Sequence, residues 1–160
     1  NTSFKKLVVK RGAEQYEELR LATEIYAQEG NSVPKVFLLT YGNLAMRKAR
    51  ATFASNFFGC AGYEIIDNPG FSSVEDGVKS AVDNNADIVV ICSSDEEYID
   101  TVPVIAKSIK EKNPEINVTL AGYPKEHIEA FKNAGVDDFI HIKSNVIETL
   151  TSFQKYFGIM

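Results

Sequence analysis

The stretch ADIVVICSSDEEY, Ala86–Tyr98, decides the fold class. Its apolar part, Asp87–Cys92, is rich in β-branched residues and shows no alternation of polar and apolar side chains. Such a run is typical of a strand buried on both faces, as in a parallel sheet covered by helices. The polar residues after it predict a loop and the start of a helix.

Short apolar runs and amphipathic stretches alternate on both sides of this central run. The predicted strands are Val36–Thr40, Tyr63–Ile66, Asp87–Cys92, Ile116–Leu120 and Asp138–Ile142. Five βα units of this length predict a parallel sheet with helices on both faces. The sequence therefore predicts an α/β fold, a flavodoxin-like (Rossmann-like) five-stranded parallel sheet in the order 2-1-3-4-5.

Each connecting helix carries apolar residues at helical spacing. The residues predicted to face the core are Met46, Ala49, Phe53 and Phe57; Val74, Val78 and Ala81; Ile99, Val102, Ala106 and Ile109; Ile128 and Phe131; and Val146, Leu150, Phe153 and Phe157. Ser72 and Glu75 predict a capping box, and Asn145 predicts the N-cap of the last helix. Pro103 predicts a kink in the third helix or a late start.

A further helix, predicted at Ala13–Glu29, precedes the repeating units as an N-terminal helical arm. Its shared face carries Tyr16, Leu19, Thr23 and Tyr26. No βα unit requires this helix, so its apolar face needs a partner in the domain or outside it. We expect the C-terminal half of the arm to dock and Asn1–Arg11 to be poorly anchored. Substitution of Leu19 by Ala should then destabilise the domain only modestly.

Composition and charge exclude several classes of function. The chain has 160 residues and a net charge of −5, which argues against nucleic acid or an anionic membrane as the main partner. No apolar run approaches the roughly 20 residues that a membrane span needs. Cys60 and Cys92 lie far apart and near no His, so reduced core thiols and a cytoplasmic location are predicted.

In this fold, ligands bind beyond the carboxyl ends of the first and third strands. The segments predicted there are TYGN (Thr40–Asn43), SSDEEY (Ser93–Tyr98) and AGYP (Ala121–Pro124). The first has fewer Ser, Thr and Gly residues than a loop that binds a flavin phosphate, which disfavours a flavodoxin role. A phospho-acceptor site needs clustered acids, whereas Asp67 and Asp95 are separate. His127 and His141 have no second ligand nearby, so no metal site is predicted.

Four stretches resemble the C-terminal, cobalamin-binding domain of methylmalonyl-CoA mutases. They are KVFLLTYGNLAMRKARATFASNFFGCAGYEII, ADIVVICSSDEEY, VTLAGYP and AGVDDFIHIKSN, and together they extend over about Val36–Phe157. In family members that bind cobalamin, the loop after the first strand carries Asp-x-His-x-x-Gly. The His ligates cobalt and the Asp holds its other ring nitrogen.

This chain departs from that motif. Gly42–Phe53 contains neither Asp nor His, and the position of the His holds Met46 or Arg47. The resemblance therefore implies a vestigial pocket, with no catalytic residue, no metal ligand and no cofactor in this domain. The edge of that pocket is formed by Tyr41, Gly42, Asn43, Met46, Arg47, Ser93, Ser94, Gly122 and Tyr123.

The loss of the motif is similar to the small (beta) subunit of the bacterial enzymes, as is the segment AEQYEELRLATE in the arm. This resemblance implies that residues 1–33 are a helical arm and linker from a missing N-terminal barrel, and that residues 34–160 are a degenerate cobalamin-binding-like domain. It implies an inactive, structural part of an isomerase. The partner would be the large (alpha) subunit, whose adenosylcobalamin serves the interconversion of methylmalonyl-CoA and succinyl-CoA.

Two other functions stay open on the sequence. One is a genuine small-molecule or cobalamin-binding module at the edge formed by Ser93, Ser94 and Gly122. The other is a stand-alone interaction domain.

The shape of the groove at this edge separates the binding module from a vestigial pocket. For a vestige, we expect the space of a nucleotide tail to be filled by Leu44, Met46, Phe57 or Tyr123. An open cleft of roughly 300 Å³ or more along the whole edge would instead favour a binding module.

Overall fold

The computed structural model describes the backbone of residues 2–160 and the side chains from residue 13 onward. The strands are β1 (Lys35–Thr40), β2 (Glu64–Ile66), β3 (Ile88–Cys92), β4 (Asn117–Ala121) and β5 (Asp138–Ile140). The helices are α1 (Thr2–Gln28), α2 (Leu44–Gly59), α3 (Val74–Asp83), α4 (Asp95–Lys112), α5 (Ile128–Ala134) and α6 (Val146–Tyr156). A short 3₁₀ turn, Lys125–His127, precedes α5.

The strands form one parallel sheet in the order β2-β1-β3-β4-β5, which confirms the predicted fold class. Every residue of β3 is fully buried, as expected for a central strand covered on both faces. The register pairs Val36 with Ile88 and Thr40 with Cys92, so β1 and β3 end together. Their shared carboxyl end is the switch point of the sheet, where successive strands stop being added on one side of β1 and begin to be added on the other.

Alternate residues of β1 divide the core into two layers. Phe37 and Leu39 face α3, α4 and α5, whereas Val36 and Leu38 face α2 and α6. On the second side, Phe58 makes edge-on contact with Phe153, with 5.2 Å between ring centroids. Aromatic packing therefore closes the space between α2, α6 and the sheet.

The buried face of α2 differs from the predicted one. Its buried residues are Ala51, Ala54, Phe57 and Phe58. Ala49 is exposed and Met46 is 37% exposed, so the prediction was wrong for both. Phe57 and Phe58 both pack on the sheet, and this rotates the first turns of α2 toward solvent.

Three other predicted details are also shifted. The N-cap of α3 is Ser73, whose hydroxyl accepts from the amide of Asp76 at 3.2 Å, and not Ser72. Helix α4 begins at Asp95 and continues through Pro103, so the late start is wrong. Ile99 is 50% exposed because the neighbouring Tyr98 takes the buried position.

The leading helix begins at Thr2, much earlier than the predicted Ala13. It packs against α6 through Leu19, which is 2% exposed, and Thr23, which is 1% exposed. Tyr16, which was predicted on the same face, is 36% exposed and so contributes less to this packing than expected. The expectation for Asn1–Arg11 lies outside the described side chains.

A buried polar contact that the sequence analysis missed fixes this arm. The side-chain amide nitrogen of Gln154 donates to the Leu19 carbonyl at 2.8 Å and to the Thr23 hydroxyl at 3.1 Å. Its amide oxygen accepts from the Tyr63 hydroxyl at 2.7 Å. Gln154 is fully buried, and this hydrogen-bonding joins the arm to the domain.

Candidate functional site

The carboxyl edge of the sheet brings the three predicted loop segments together. Gly42 follows β1 with φ +74°, and Gly122 follows β4 with φ +140°. Both backbones lie in the region that favours glycine, so these positions are set by turn geometry. Asn43 caps α2, and its side-chain oxygen accepts from the Met46 amide at 3.0 Å.

The crevice between the ends of β1 and β3 is occupied by the carboxylate of Glu97. The backbone N–H of Asn43 donates to its two oxygens at 3.0 and 3.1 Å. The Ser94 hydroxyl donates to it at 3.0 Å, and the Ser93 hydroxyl also lies within hydrogen-bond distance. A Cβ atom on Gly42 would collide with this carboxylate. The donors of the crevice therefore already surround an anion that belongs to the chain.

The same contacts keep Glu97 ionised. The Ser93 hydroxyl lowers the pKa of Glu97 most, and burial acts in the opposite direction. The Asn43 N–H and the Ser94 hydroxyl and N–H lower the pKa further. Hydrogen bonds to a carboxylate stabilise its charged form, so the crevice holds a negative charge at neutral pH.

Arg50 covers the neighbouring gap between the ends of β3 and β4. Its guanidinium donates to the Ser93 carbonyl at 2.7 Å and pairs with the Asp95 carboxylate at 2.8 Å. It also lies over the Tyr98 ring, 5.2 Å from the ring centroid. A Cβ atom on Gly122 would stand 3.4 Å from the guanidinium, so Arg50 occupies the space above this glycine.

Tyr98 forms the buried floor under both side chains. Its hydroxyl accepts from the Ser93 amide at 2.9 Å and lies 2.8 Å from the Ala121 carbonyl, to which it can donate. Burial is the main cause that raises the pKa of Tyr98. The phenol therefore stays neutral and ties the ends of β3 and β4 together.

The prediction that apolar side chains fill the groove was wrong. Leu44, Met46 and Tyr123 are 54%, 37% and 47% exposed, and Phe57 lies in the core. Charged and phenolic side chains fill this edge instead, because its free amides and carbonyls need hydrogen-bonding partners. A sequence signal existed: Glu97 stands three residues after Ser94, the spacing of the capping box that the structure contains.

The predicted pocket-edge residues are thus divided between several places. Tyr41, Gly42, Asn43, Ser93 and Ser94 lie around or beside the Glu97 carboxylate. The others lie apart from it.

Of those others, Gly122 lies under Arg50. Tyr123 stacks on His141 with 4.7 Å between ring centroids. Arg47 donates to the Gly42 carbonyl at 3.1 Å, and Met46 is exposed beside it.

No group of three or more His, Cys, Asp or Glu side chains in the described part of the chain could hold a metal ion. His127 stacks on Phe131, with 5.6 Å between ring centroids. Among the described residues, no helix is long and apolar enough to cross a membrane.

One open cleft of about 330 Å³ lies beside the filled edge, between α2 and the loop that follows β2. Neither Gly42 nor Gly122 lines it, so it is separate from the cleft that would favour a binding module at the strand ends.

Solved structures with a similar fold include a CheY-like protein and a response regulator. A CheY-like protein, tadZ, from Pseudomonas aeruginosa aligns over 78% of this chain and 93% of its own, with TM-score 0.58 and 16% identity. A response regulator from Thermotoga maritima aligns over 79% and 98%, with TM-score 0.55 and 16% identity. At this level of identity the likeness supports the fold alone.

Sequence relatives point in a different and more specific direction. The methylmalonyl-CoA mutase small subunit of Porphyromonas gingivalis is 48% identical over 159 residues, which are 98% of this chain and 24% of the relative. The small subunit of Streptomyces virginiae is 29% identical over 93% of this chain and 23% of its own length. No protein-family model matches the chain.

This chain therefore spans about a quarter of the length of the curated relatives it matches. The resemblance seen in its sequence is confirmed: over nearly its whole length, the chain is homologous to part of the methylmalonyl-CoA mutase small subunit.

Proposed function

We propose that this chain is a non-catalytic, C-terminal domain of a methylmalonyl-CoA mutase small subunit. It keeps the fold of a cobalamin-binding domain and serves the assembly of the subunit with a large subunit. The large subunit carries adenosylcobalamin, and the heterodimer interconverts methylmalonyl-CoA and succinyl-CoA in the cytoplasm. The similarity to small subunits over 98% of the chain supports this assignment.

The residues at the carboxyl edge do not fit cobalamin. A lower ligand to cobalt needs a lone pair held by a second group, and Gly42–Phe53 contains no His and no acid. The guanidinium of Arg47 has no lone pair to donate. Met46 has a thioether, but its side chain is exposed and lacks an acidic neighbour in this segment. We therefore assign no step of the reaction to this domain.

One observation carries the proposal: the Glu97 carboxylate accepts the backbone and hydroxyl donors of the switch-point crevice. A ligand that bound there would have to displace a hydrogen-bonded carboxylate, and Arg50 with its Asp95 partner as well. The same observation disfavours a small-molecule site formed by Ser93 and Gly122.

Spectroscopy of the 160-residue chain with hydroxocobalamin tests the missing cofactor role. We expect no change in the visible spectrum and no corrinoid in the protein fraction of a gel-filtration run. A spectrum of protein-ligated cobalamin, or corrinoid that coelutes with the chain, would contradict the proposal.

Co-expression with a methylmalonyl-CoA mutase large subunit tests the assembly role. The tagged chain should retain the large subunit on an affinity column, and the full-length small subunit of Porphyromonas gingivalis serves as the positive control. Retention by the control alone would favour a stand-alone interaction domain or a role confined to the small subunit.

A further inference from the structure

The open cleft has one wall made by a stripe of α2 whose residues are polar except for one alanine. Its members recur at intervals of one helical turn and are Arg47, Lys48, Ala51, Thr52, Ser55 and Asn56. The opposite wall is the loop Asp67–Pro69, and Thr40 lies at the base. The volume of about 330 Å³ falls at the lower end of the range for small-molecule pockets.

Hydroxyl groups on the α2 wall are free to bind a ligand. Helical Ser and Thr hydroxyls commonly donate to the carbonyl four residues earlier, as Thr101 and Thr151 do here at 2.7 Å. Thr52 and Ser55 make no such bond and no other hydrogen bond to any described residue. The Lys48 ammonium likewise has no ion-pair or hydrogen-bond partner in the described part of the chain.

Hydrogen bonds within the chain hold the opposite wall in place. The Asn68 side chain accepts from the Thr40 hydroxyl at 2.8 Å and from the Gly70 amide at 3.0 Å, and donates to the Leu38 carbonyl. Arg47 donates to the Gly42 carbonyl at 3.1 Å and also reaches the Pro69 carbonyl. A loop held by such bonds has less conformational entropy to lose when a ligand binds.

The charges of the cleft indicate the class of ligand. Arg47 and Lys48 both line the cleft, so it holds two cations, and the Arg47 guanidinium keeps donors beyond the two it uses. Asp67 faces them from the loop and is an acceptor for hydroxyl groups. Cations suit an oxyanion, whereas the hydroxyls of Thr52 and Ser55 and the Asp67 carboxylate suit neutral polar groups.

We propose that this cleft binds a small phosphorylated polyol, with the phosphate near Arg47 and Lys48 and the hydroxyl groups between Thr52, Ser55 and Asp67. The site is independent of the proposed absence of cobalamin, because it shares neither the Glu97 crevice nor Gly122.

Amide chemical shifts of the 160-residue chain, titrated with glycerol phosphate, test the site. We expect saturable shifts confined to residues 47–56 and 67–70, with millimolar or tighter affinity. Lys48→Ala and the double substitution of Thr52 by Val and Ser55 by Ala should each weaken binding about tenfold, because each removes bonds to a charged or polar ligand group. All three residues are at or near the surface, so these variants should fold.

The controls separate a built site from general attraction to anions. Lys107→Ala removes an exposed cation from α4, outside the cleft, and should leave the affinity unchanged. Inorganic phosphate should bind more weakly than glycerol phosphate, and glycerol alone more weakly still. Shifts spread over the surface, equal losses in Lys48→Ala and Lys107→Ala, or no saturable shift up to about 10 mM ligand would each overturn the proposal.

Discussion

Two recesses lie on either side of the end of β1. The polar groups of one are hydrogen-bonded within the described part of the chain, and several of those in the other are not. In the crevice toward β3, the donors of Asn43, Ser93 and Ser94 are satisfied by the Glu97 carboxylate. In the cleft beside α2, the hydroxyls of Thr52 and Ser55 have no partner among the described residues. The chain therefore fills one of these two recesses with its own carboxylate and leaves the other open.

Substitutions should lower the stability more where polar groups bond within the chain than where they face the open cleft. The largest loss of stability is expected at the arm. Leu19→Ala should lower the free energy of unfolding by roughly 2–5 kcal/mol, because Leu19 is 2% exposed and lies beside the buried Gln154 contact. The modest loss expected from the sequence is thus replaced by a core-sized one. Urea unfolding measures it, and Leu21→Ala, at a 53% exposed position of the same helix, is the control. Equal small losses would show that the arm does not contribute to stability.

Removal of the phenol under the filled crevice comes next. Tyr98→Phe should cost about 1–3 kcal/mol, because the Ser93 amide and the Ala121 carbonyl lose a buried partner. Tyr156→Phe, at a 62% exposed tyrosine, should change the stability by no more than about 0.5 kcal/mol. Thermal and urea unfolding of both variants give the comparison, and a neutral Tyr98→Phe would mean that the floor of the crevice is not held by this hydroxyl.

A smaller effect with a defined pH dependence is expected at Glu97. Its pKa is lowered in the folded state, chiefly by the Ser93 hydroxyl, so its stabilisation is present above the unfolded pKa of about 4.3 and is lost as the pH falls through the folded value. Glu97→Gln should cost about 1 kcal/mol at pH 7 and progressively less in that acid range.

The control for Glu97 is the neighbouring exposed residue, Glu96→Gln. As the pH falls from 7 into the acid range, the free energies of unfolding of Glu97→Gln and of the wild type should converge. Those of Glu96→Gln and of the wild type should not. Parallel curves would mean that the carboxylate is not bound in the crevice.

The smallest effect is expected in the open cleft. Thr52→Val replaces an exposed hydroxyl without a described partner by a methyl group, so the stability should change by less than about 0.5 kcal/mol. Thr101→Val should cost more, about 1 kcal/mol, because that hydroxyl bonds to Tyr41 and to the Glu97 carbonyl. A substantial loss for Thr52→Val, measured by urea unfolding, would show that the cleft is structural.

The sheet was predictable because its signal is strong at each strand. After Asp87, the run to Cys92 is apolar without alternation, which is typical of a strand buried on both faces. The contents of the edge were not predictable, because they depend on the rotation of two helices about their axes. The buried face of α2 includes Ala51 in place of the predicted Met46. This rotation leaves Met46 exposed and turns Arg50 toward the ends of β3 and β4.

The same limit explains the arm. Its helical period predicted a shared face with Leu19 and Thr23 on it, and the structure buries both. Its docking position on α6 was not predictable, because the buried hydrogen bonds there come from Gln154, which lies 131 residues after Thr23. A glutamine in an amphipathic helix gives no pattern that distinguishes a buried hydrogen-bonding role from a solvated one.

The bonds to Glu97 make the switch-point crevice a case of intramolecular competition. The carboxylate is carried by α4 and held against the Asn43 amide, so its effective concentration at those donors is at least in the millimolar range expected of short tethers. A free anion of weak affinity must exceed that concentration before it can replace Glu97. The tethered carboxylate thus competes with free anions for the donors of the crevice. It can exclude small anions of weak affinity without blocking their access.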